Sequence, residues 1–371
     1  MEEKRTLKII GVSFNFSENN INAGLCEVSA DMSCKLLYGT SDQIPPHINA
    51  ILQRALRNEI NINELCQLNF LIGECFAKVA NLIISEFGKP DFIASNGITI
   101  CKYPYDEKID NMSKKSLLQI GESSVIAKRT GCLVISDFGK EDIAFGGQGG
   151  PLESFAYEKW FKNTIIQTID NKSSATVISN EFPTFSFDIG CGDFMINYCC
   201  QKLFQVQSDK YGEIAAEGVV SDTWLDCLLQ DEYYYLEPPK TVSRTYFNER
   251  YVENILRYAP NNDADIIATL TALTAKTIAQ SYERFIFPQT QISQVVIGGI
   301  GALNKTLMKF LKKSLPDHIE LKTFDEFGLS NIYKDSIIAA LLGYCTYYGI
   351  PNNLPECTGA SKRVVMGKFT Y

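Results

Sequence analysis

The apolar and polar positions of the first half of the chain predict a β-hairpin, two helices and several short strands. Residues 7–13 are apolar and rich in β-branched side chains, and residues 21–29 fit the antiparallel partner of that strand. Apolar side chains recur at helical spacing through residues 47–58 and 62–86, which predicts two successive helices. The shorter elements expected here are strands at 91–94 and 132–135 and helices within 116–130 and 151–161.

The second half repeats this alternation of strands, glycine turns and helices. Residues 164–169 and 176–178 predict a strand pair, and a third strand, 184–187, leads into Asp188-Ile189-Gly190-Cys191-Gly192-Asp193. A strand at 295–297 leads into Gly298-Gly299-Ile300-Gly301. Helices are expected at 195–203, 249–258, 263–283, 305–314 and 336–348. Because both halves share one pattern, the sequence predicts an α/β protein of two similar domains that flank a cleft.

The length and composition agree with a globular protein of two domains. The chain has 371 residues, of which 45% are hydrophobic, so a large core can form. The formal net charge is -8 and the charges are well mixed, which argues against a nucleic-acid-binding protein. The N-terminus lacks the apolar core of a secretion signal, and no uninterrupted apolar run reaches the ~18–20 residues of a membrane span. We therefore expect a soluble, cytoplasmic protein with no membrane partner.

The cysteines and histidines do not form a metal-binding pattern. Twelve cysteines are spread along the chain without a C-x-x-C pair, and the one close set is Cys191, Cys199 and Cys200. The two histidines, His47 and His318, are far apart in the sequence. Zinc sites need ligands at tighter spacing. We therefore expect reduced cysteines that mostly act as small core residues.

Residues 136–152 read Ser-Asp-Phe-Gly-Lys-Glu-Asp-Ile-Ala-Phe-Gly-Gly-Gln-Gly-Gly-Pro-Leu and contain a cluster of glycines. Each glycine in a regular element costs roughly 0.5–1 kcal/mol, so such a cluster indicates backbone that comes close to a ligand. The cluster follows an apolar strand, and open α/β sheets bind ligands at the carboxyl ends of their strands. The pattern therefore predicts a polar ligand loop lined by glycine.

Asp188 is the first candidate for a catalytic residue. It follows a predicted strand and precedes Gly190 and Gly192, a setting that suits a general base facing a hydroxyl group or a water molecule. The alternative is an Asx-type turn without a chemical role.

The turn 298–301 and Asp335 are two further candidates for a ligand site, and each can also be explained by a structural role. The turn 298–301 would let backbone approach a flat or phosphorylated ligand, but it lacks the G-x-G-x-x-G pattern of a dinucleotide site, and a plain tight turn explains it too. Asp335 opens the last predicted helix, where the helix dipole favours an acid in any case. Its position alone therefore does not indicate a metal ion.

Several motifs follow one another in order along nearly the whole chain. They are Leu118-Gln119-Ile120-Gly121, Arg129-Thr130-Gly131, Asp137-Phe138, Asp142-Ile143-Ala144, Gly146-Gly147-Gln148-Gly149 with Pro151-Leu152, Asp188-x-Gly190-x-Gly192, Arg244-x-x-Phe247, Leu273-Thr274-Ala275, Gly299 with Gly301-x-x-Asn304, and Gly349-x-Pro351-x-Asn353-Leu354-Pro355-x-x-Thr358-Gly359-Ala360. Together they resemble the anhydro-N-acetylmuramic acid kinase family. The resemblance implies two actin-like (ribonuclease H-like) domains flanking an ATP and sugar cleft. We expect one domain at 1–163, joined by 352–371, and the other at 164–351.

The resemblance also implies a reaction that uses ATP and Mg²⁺. In the family, water attacks the anomeric carbon of a 1,6-anhydro sugar and the inner bridge opens. The freed O6 then takes the γ-phosphate of ATP. The product is N-acetylmuramic acid 6-phosphate, in a step of cell-wall recycling. The expected partners are the anhydro sugar and ATP, and a homodimer is implied by the resemblance alone.

Residues at matching positions carry the implied site. The family's catalytic aspartate falls on Asp188, which would activate the water. The ATP side would comprise Ser17, Gly190, Gly192, Gly299, Gly301 and Asn304. The sugar side would comprise Asp137, Gly146, Gly147, Gln148 and Gly149. The metal would be held by Asp335 and Asn19, although Asn19 replaces an aspartate of the family.

The chain departs from the family in its phosphate loops. The family opens with Ser-Gly-Thr-Ser-x-Asp-Gly-x-Asp, whereas residues 14–22 read Phe-Asn-Phe-Ser-Glu-Asn-Asn-Ile-Asn. A second loop, Asn-Ile-Gly-Gly-Ile-Ala-Asn in the family, aligns with residues 168–174, which contain no glycine. On the sugar side, His-Gly-Gln-Thr becomes residues 96–99, and an arginine becomes Gly139. Since phosphoryl transfer depends on positioning and charge neutralisation, two alternatives stay open: a paralogue that binds without transferring phosphate, and a kinase of a different anhydro sugar.

Overall fold

A computed structural model describes residues 4–103, 108–109, 112–113, 115–242 and 246–371. Contacts divide the chain into two units, Met1–Trp160 with Gly328–Tyr371, and Phe161–Phe327. Each unit has its own central sheet. Arg244, from one of the motifs above, lies outside the described residues.

The chain up to Trp160 supplies most of the first unit. Its strands are β1 (Leu7–Asn15), β2 (Asn20–Val28), β3 (Cys34–Gln43), β4 (Phe92–Ser95), β5 (Ile98–Tyr103), β6 (Lys108–Ile109), β7 (Met112–Ser113), β8 (Ser116–Ile120) and β9 (Val134–Ser136). Its helices are α1 (Pro46–Leu56), α2 (Ile62–Phe87), α3 (Ser123–Thr130), α4 (Phe138–Ala144) and α5 (Glu153–Trp160). The capping box of Asn61 and Glu64 begins α2, and Gly131 in the left-handed conformation ends α3.

The second unit contains five strands and six α-helices among its described residues. Its strands are β10 (Thr164–Ile169), β11 (Lys172–Ile178), β12 (Phe185–Cys191), β13 (Gln294–Gly298) and β14 (Glu320–Thr323). Its helices are α6 (Phe194–Cys199), α7 (Glu213–Glu217), α8 (Asp222–Leu228), α9 (Glu249–Leu256), α10 (Asp263–Phe285) and α11 (Lys305–Ser314). The long helix α10 is buried along most of its length, including Thr271, Thr274 and Thr277, whose hydroxyls donate to backbone carbonyls.

The last part of the chain returns to the first unit. It contains α12 (Lys334–Tyr347), α13 (Pro355–Thr358) and β15 (Lys368–Thr370). Helix α12 contacts β1, β2 and β4, and β15 pairs with β9. The expectation that residues up to 351 belong to the second domain therefore differs from the structure. Helix α12 is buried on nearly every side, and the sheet that covers it lies in the first unit.

The two sheets share one topology. The first sheet has the order β15-β9-β4-β1-β2-β3 and the second has the order β12-β11-β10-β13-β14. In each, the first three strands form antiparallel hairpins, and the fourth strand pairs in parallel with the first. This is the ribonuclease H-like strand order of the actin-like fold, so the predicted fold class is confirmed. Because these pairs are parallel, the carboxyl ends of β1 and β4 lie side by side in the first sheet, and those of β10 and β13 lie side by side in the second.

Helix α2 is the one described helix whose length and hydropathy would allow it to cross a membrane, and 44% of its most apolar window is buried. Leu68, Ile72, Phe76 and Ile83 on its buried face pack into the core of the first unit. Packing in the core of the first unit therefore explains the apolar composition of this helix.

The helix expected within 116–130 runs from Ser123 to Thr130, and residues 116–120 before it form strand β8, which pairs with β5. One sequence expectation differs from the structure at the element level. Residues 138–144, expected to be part of a ligand loop, form helix α4. Glycine suits position 139 of this helix, because a Cβ atom there would lie 2.5 Å from the Leu117 side chain and 3.0 Å from the carbonyl oxygen of Gly149.

Candidate active site

The hairpin turn between β10 and β11 lies beside the glycine turn that follows β13. A Cβ atom on Gly299 would be 2.5 Å from the carbonyl oxygen of Ile169, and a Cβ on Gly301 would overlap the Ile169 side chain. The carboxylate of Asp170, in the hairpin turn, accepts a hydrogen bond from the backbone N–H of Ile300 at 3.1 Å. The predicted nucleotide turn is thus closed by an acidic side chain of the hairpin.

The glycine turn that follows β12 packs on the same hairpin. The N–H of Asp193 donates to the carbonyl oxygen of Asp170 at 2.8 Å, and the N–H of Gly192 donates to that of Asn171 at 3.0 Å. A Cβ atom on Gly192 would overlap the Asp170 carbonyl oxygen, so only glycine fits this position. The structure therefore brings two of the predicted ATP-side turns together at one sheet edge.

Asp188 lies on β12, next to a bulge in its pairing with β11, and is buried. Its two carboxylate oxygens are each 2.9 Å from the ammonium of Lys172. One of them also accepts a hydrogen bond from the N–H of Val242 at 3.0 Å. The backbone of Asp188 accepts from the Tyr233 hydroxyl and donates to the Lys240 carbonyl. The carboxylate is therefore held in one orientation by a cation and a backbone donor, as a positioned general base requires.

Lys240 is a second cation close to Asp188. Its side chain is buried, its ammonium donates to the carbonyl oxygen of Tyr233 at 3.1 Å, and the rings of Tyr233 and Phe285 lie within 5.3 Å of it. Burial, and then the charge of Arg284, lower the pKa of Lys240 to about 8, while Asp188 raises it. A buried lysine thus lies near Asp188 in addition to Lys172, and its ammonium loses its proton more easily than that of an exposed lysine.

Gly190 and Asn304 have structural contacts within the second unit. A Cβ atom on Gly190 would lie 2.7 Å from the ring of Tyr234. The side chain of Asn304 accepts from the N–H of Leu307 at 2.8 Å and so caps α11, and it donates to the carbonyl oxygen of Asp209 at 3.0 Å. The assignment of both residues to the ATP side stays a prediction.

In the first unit, the glycine–glutamine loop is built around a buried acid. Asp142 on α4 has no solvent exposure. Its carboxylate accepts from the N–H of Gly149 at 2.9 Å, the hydroxyl of Thr358 at 2.7 Å and the amide of Asn353 at 3.0 Å. A Cβ atom on Gly147 would overlap this carboxylate. The glycines that the sequence assigned to a ligand thus also serve the close packing of the loop on Asp142.

The other residues predicted for the sugar side lie on the same part of the first unit. Asp137 has a left-handed backbone with φ of 64° and forms ion pairs with Lys140 at 2.7 Å and Lys368 at 3.6 Å. Gln148 donates its N–H to the carbonyl oxygen of Thr358 at 2.8 Å, and the carbonyl oxygen of Gly146 accepts from Lys115 at 2.5 Å. The loop is thus tied to the C-terminal segment by backbone and side-chain bonds.

The loop between β1 and β2 is compact. Asn15 accepts hydrogen bonds from the N–H groups of Ser17 and Glu18 at 2.9 and 3.1 Å. Asn19 has a left-handed backbone with φ of 52°, and its side-chain oxygen accepts from Gln53 at 2.8 Å. This Asx turn takes the place of a loop made of glycine and hydroxyl residues, which explains how a sequence without glycine keeps the hairpin closed.

Asp335 lies in the first turn of α12, and its carboxylate is 2.7 Å from the ammonium of the buried Lys334. Within the described residues, no group of three or more His, Cys, Asp or Glu side chains could hold a metal ion. Asp335 therefore belongs to no such group, and the assignment of Asp335 and Asn19 to the metal stays a prediction. Mg²⁺ commonly binds through one or two carboxylates together with substrate phosphates, and a single acid such as Asp335 fits only that mode.

Comparison with known proteins assigns the chain to a family. The family model described as Anhydro-N-acetylmuramic acid kinase matches residues 7–371. The chain belongs to the anhydro-N-acetylmuramic acid kinase family. A relative of that name from Caldanaerobacter subterraneus subsp. tengcongensis is 37% identical over 327 residues, which cover 83% of this chain and 82% of the relative. Another from Bacillus cereus (strain G9842) is 35% identical over 381 residues, covering 98% and 99%.

A solved structure that matches the fold is more distant in sequence. The activator of the 2-hydroxyisocaproyl-CoA dehydratase from Clostridium difficile, with bound ADPNP, is 10% identical with a TM-score of 0.45. The alignment covers 91% of this chain and 94% of the activator. Because this TM-score is low, the fold assignment rests on the strand order of the two sheets and not on the activator structure.

Sequence reasoning missed three residues that the structure places next to the predicted base or the predicted nucleotide turn. Lys172 and Lys240 contact the side chain and backbone of Asp188, and Asp170 contacts the turn after β13. Lys172 and Asp170 occupy the segment aligned with the second phosphate loop of the family. The signal that could have identified Asp170 and Lys172 is their charge. They are charged residues in the segment 168–174, where a family member has glycines.

Buried side-chain oxygen atoms of Asn20, Ser95 and Gln119, all in the first unit, have no hydrogen-bond partner among the described residues. Asn20 lies at the start of β2, Ser95 at the end of β4 and Gln119 on β8. Unsatisfied buried polar atoms are uncommon in folded proteins and are often satisfied by water or a ligand. Ser95 is in register with Val12 on the parallel strand β1, so it lies at the carboxyl edge where open α/β sheets bind ligands.

Proposed function

We propose that this family member is an ATP-dependent kinase of 1,6-anhydro-N-acetylmuramic acid that couples hydrolysis of the anhydro bridge to phosphorylation of O6. The observation that carries the proposal is the buried Asp188 carboxylate, oriented by Lys172 and Val242, beside the hairpin at which two glycine turns meet. The identity of 35% over nearly the full length to relatives named for this activity supports it.

In this proposal Asp188 acts as the general base. Its carboxylate takes a proton from a water molecule as the water oxygen attacks the anomeric carbon and the bond from that carbon to O6 breaks. O6 then forms a bond to the γ-phosphorus of ATP, and the bond from that phosphorus to the bridging oxygen of ADP breaks. Water, sugar and ATP are consumed, and sugar 6-phosphate and ADP are formed. Such transfer depends on positioning and on charge neutralisation.

The remaining site residues are proposals of the same kind. The turns at Gly192 and Gly299–Gly301 would approach the nucleotide, and the loop at 146–149 with Asp137 would approach the sugar. Mg²⁺ would enter with the nucleotide phosphates and neutralise their charge, with Asp335 as its protein ligand. Since ATP is the phosphate donor, we place the reaction in the cytoplasm. A homodimer is proposed from the resemblance and is tested by light scattering after size exclusion.

The test is release of ADP by the purified chain with ATP, Mg²⁺ and the anhydro sugar. Replacing the base, Asp188→Asn, is expected to lower kcat by a factor of at least ~10², in line with the contribution of a general base. Asp317→Asn changes an exposed aspartate of the same unit and is expected to leave the rate unchanged. Equal rates for the wild type and Asp188→Asn would overturn the proposal, whereas turnover only with another anhydro sugar would redefine its substrate.

A further inference from the structure

The hairpin Asp170–Lys172 contacts both the proposed nucleotide turn and the proposed base, through two side chains that are two residues apart in the sequence. The carboxylate of Asp170 accepts from the backbone N–H of Ile300, in the turn proposed for the nucleotide. The ammonium of Lys172 lies 2.9 Å from both oxygens of Asp188, the proposed base. One short turn thus connects the proposed base and the proposed nucleotide turn.

The charges on this hairpin are unusual for a phosphate site. A phosphate group needs N–H donors or cations around it. The N–H of Ile300 already bonds to a carboxylate, and a side chain with that charge repels phosphate. The glycine turn after β13 therefore has one N–H donor fewer for a phosphate than it would have without Asp170. A cation of the protein would add to the neutralisation by Mg²⁺ if a phosphoryl group is transferred beside Asp188.

Lys172 is the cation placed to do so. Its side chain is 54% exposed, while that of Asp188 is 7% exposed. The Lys172 side chain therefore contacts the buried carboxylate and is also accessible to a ligand from solvent. Lys240 is the other lysine near Asp188, but it is buried against the rings of Tyr233 and Phe285. A point charge on a flexible stem suits a phosphate that changes position during transfer.

We propose that Lys172 binds the terminal phosphate of the nucleoside triphosphate and holds Asp188 beside it. The proposal rests on the proposed function for the identity of the ligand and deepens it by naming the residue that replaces a glycine turn as the phosphate contact. Because ADP lacks the terminal phosphate, the contact should discriminate between triphosphate and diphosphate.

The test is calorimetric binding of the imido analogue of ATP and of ADP, both with Mg²⁺, to the full chain. Lys172→Met is expected to weaken triphosphate binding about 10- to 100-fold, the range of a charged hydrogen bond, with ADP binding changed by less than about 2-fold. Lys172→Arg should retain most of the triphosphate affinity. Lys202→Met, which removes an exposed lysine paired with Glu253 in the same unit, is the matched control and should change neither.

A second comparison removes the effect of leaving Asp188 unpaired. In an Asp188→Asn background, Lys172→Met should still weaken triphosphate binding selectively, because the phosphate contact is lost whether or not the carboxylate is charged. Equal weakening of both nucleotides, no weakening, or loss of selectivity in the Asp188→Asn background would overturn the inference, as would a wild type that binds neither nucleotide. Turnover of the anhydro sugar is measured separately, so a chain that binds selectively without turnover counts against the proposed function alone.

Discussion

The N–H of Gly149 donates a hydrogen bond of 2.9 Å to the carboxylate of Asp142, a side chain with no solvent exposure. The other carboxylate oxygen accepts from Thr358 and Asn353. One acid therefore fixes the glycine–glutamine loop and the Asn353–Thr358 segment of the C-terminal region, which are more than 200 residues apart in the sequence.

Replacing this acid should destabilise the first unit. Asp142→Ala leaves three buried donors without their acceptor, and we expect it to lower the free energy of unfolding by about 3 kcal/mol. Urea denaturation followed by fluorescence measures the change. Asp137→Asn, at a partly exposed acid of the same region, should cost less than about 1 kcal/mol. Similar losses for the two variants would contradict the central role of Asp142.

The glycine at position 192 should not tolerate a side chain. A Cβ there would overlap the carbonyl oxygen of Asp170, which belongs to the backbone of the hairpin and cannot rotate away. Gly192→Ala is expected to cost about 1–3 kcal/mol of stability and to lower turnover by moving the hairpin. Thermal denaturation and ADP release measure the two effects. In Gly88→Ala no atom lies within 4 Å of the new Cβ, so only the backbone cost of a φ of 81° with a ψ of 179°, about 1–3 kcal/mol, should appear, and turnover, which separates the two variants, should be kept.

Lys240 should make stability depend on pH in the alkaline range. Its pKa is lowered to about 8 by burial and by Arg284, whereas an unfolded lysine titrates near ~10.4. Between these values the unfolded chain binds more protons, so the free energy of unfolding should rise with pH, by up to about 3 kcal/mol. Below pH 8 the charged lysine is present in both states and this contribution is constant.

The measurement for Lys240 is the difference in stability between the wild type and Lys240→Met from pH 7 to 10.5. Taking the difference removes the opposite contribution of tyrosines such as Tyr246, whose pKa is raised to about 12 by burial and by Asp231. The wild type should gain stability relative to Lys240→Met as the pH rises. A constant difference would show that Lys240 titrates normally.

Local sequence patterns were sufficient for many elements of the fold. The periodicity of α2 and the β-branched runs of β1 and β10 decide their conformation without help from distant residues. Motif order identified the family, whose model matches residues 7–371, and the strand order confirms the fold class. Within 116–130, where a partial helix was expected, the local pattern did not reveal strand β8, whose five residues form a strand because β5 supplies its hydrogen bonds.

The site was only partly predictable for a related reason. Asp188 and the glycines of the two turns stand out because a carboxylate or a glycine after a strand is informative on its own. Lys172, Lys240 and Asp142 do not stand out, because a lysine or an aspartate in a sequence is most often a solvated surface residue. Their roles depend on the partners that folding brings to them.

The sequence by itself determined that this chain has two α/β halves with glycine turns after the strands, because strand and helix periods and turn residues act over a few positions. Only the tertiary structure decided that α12 completes the first unit, that Asp142 is the buried anchor of the glycine–glutamine loop and that Lys172 pairs with Asp188. Burial and charge pairing are properties of residues distant in the chain, and they exist only once the sheets have formed.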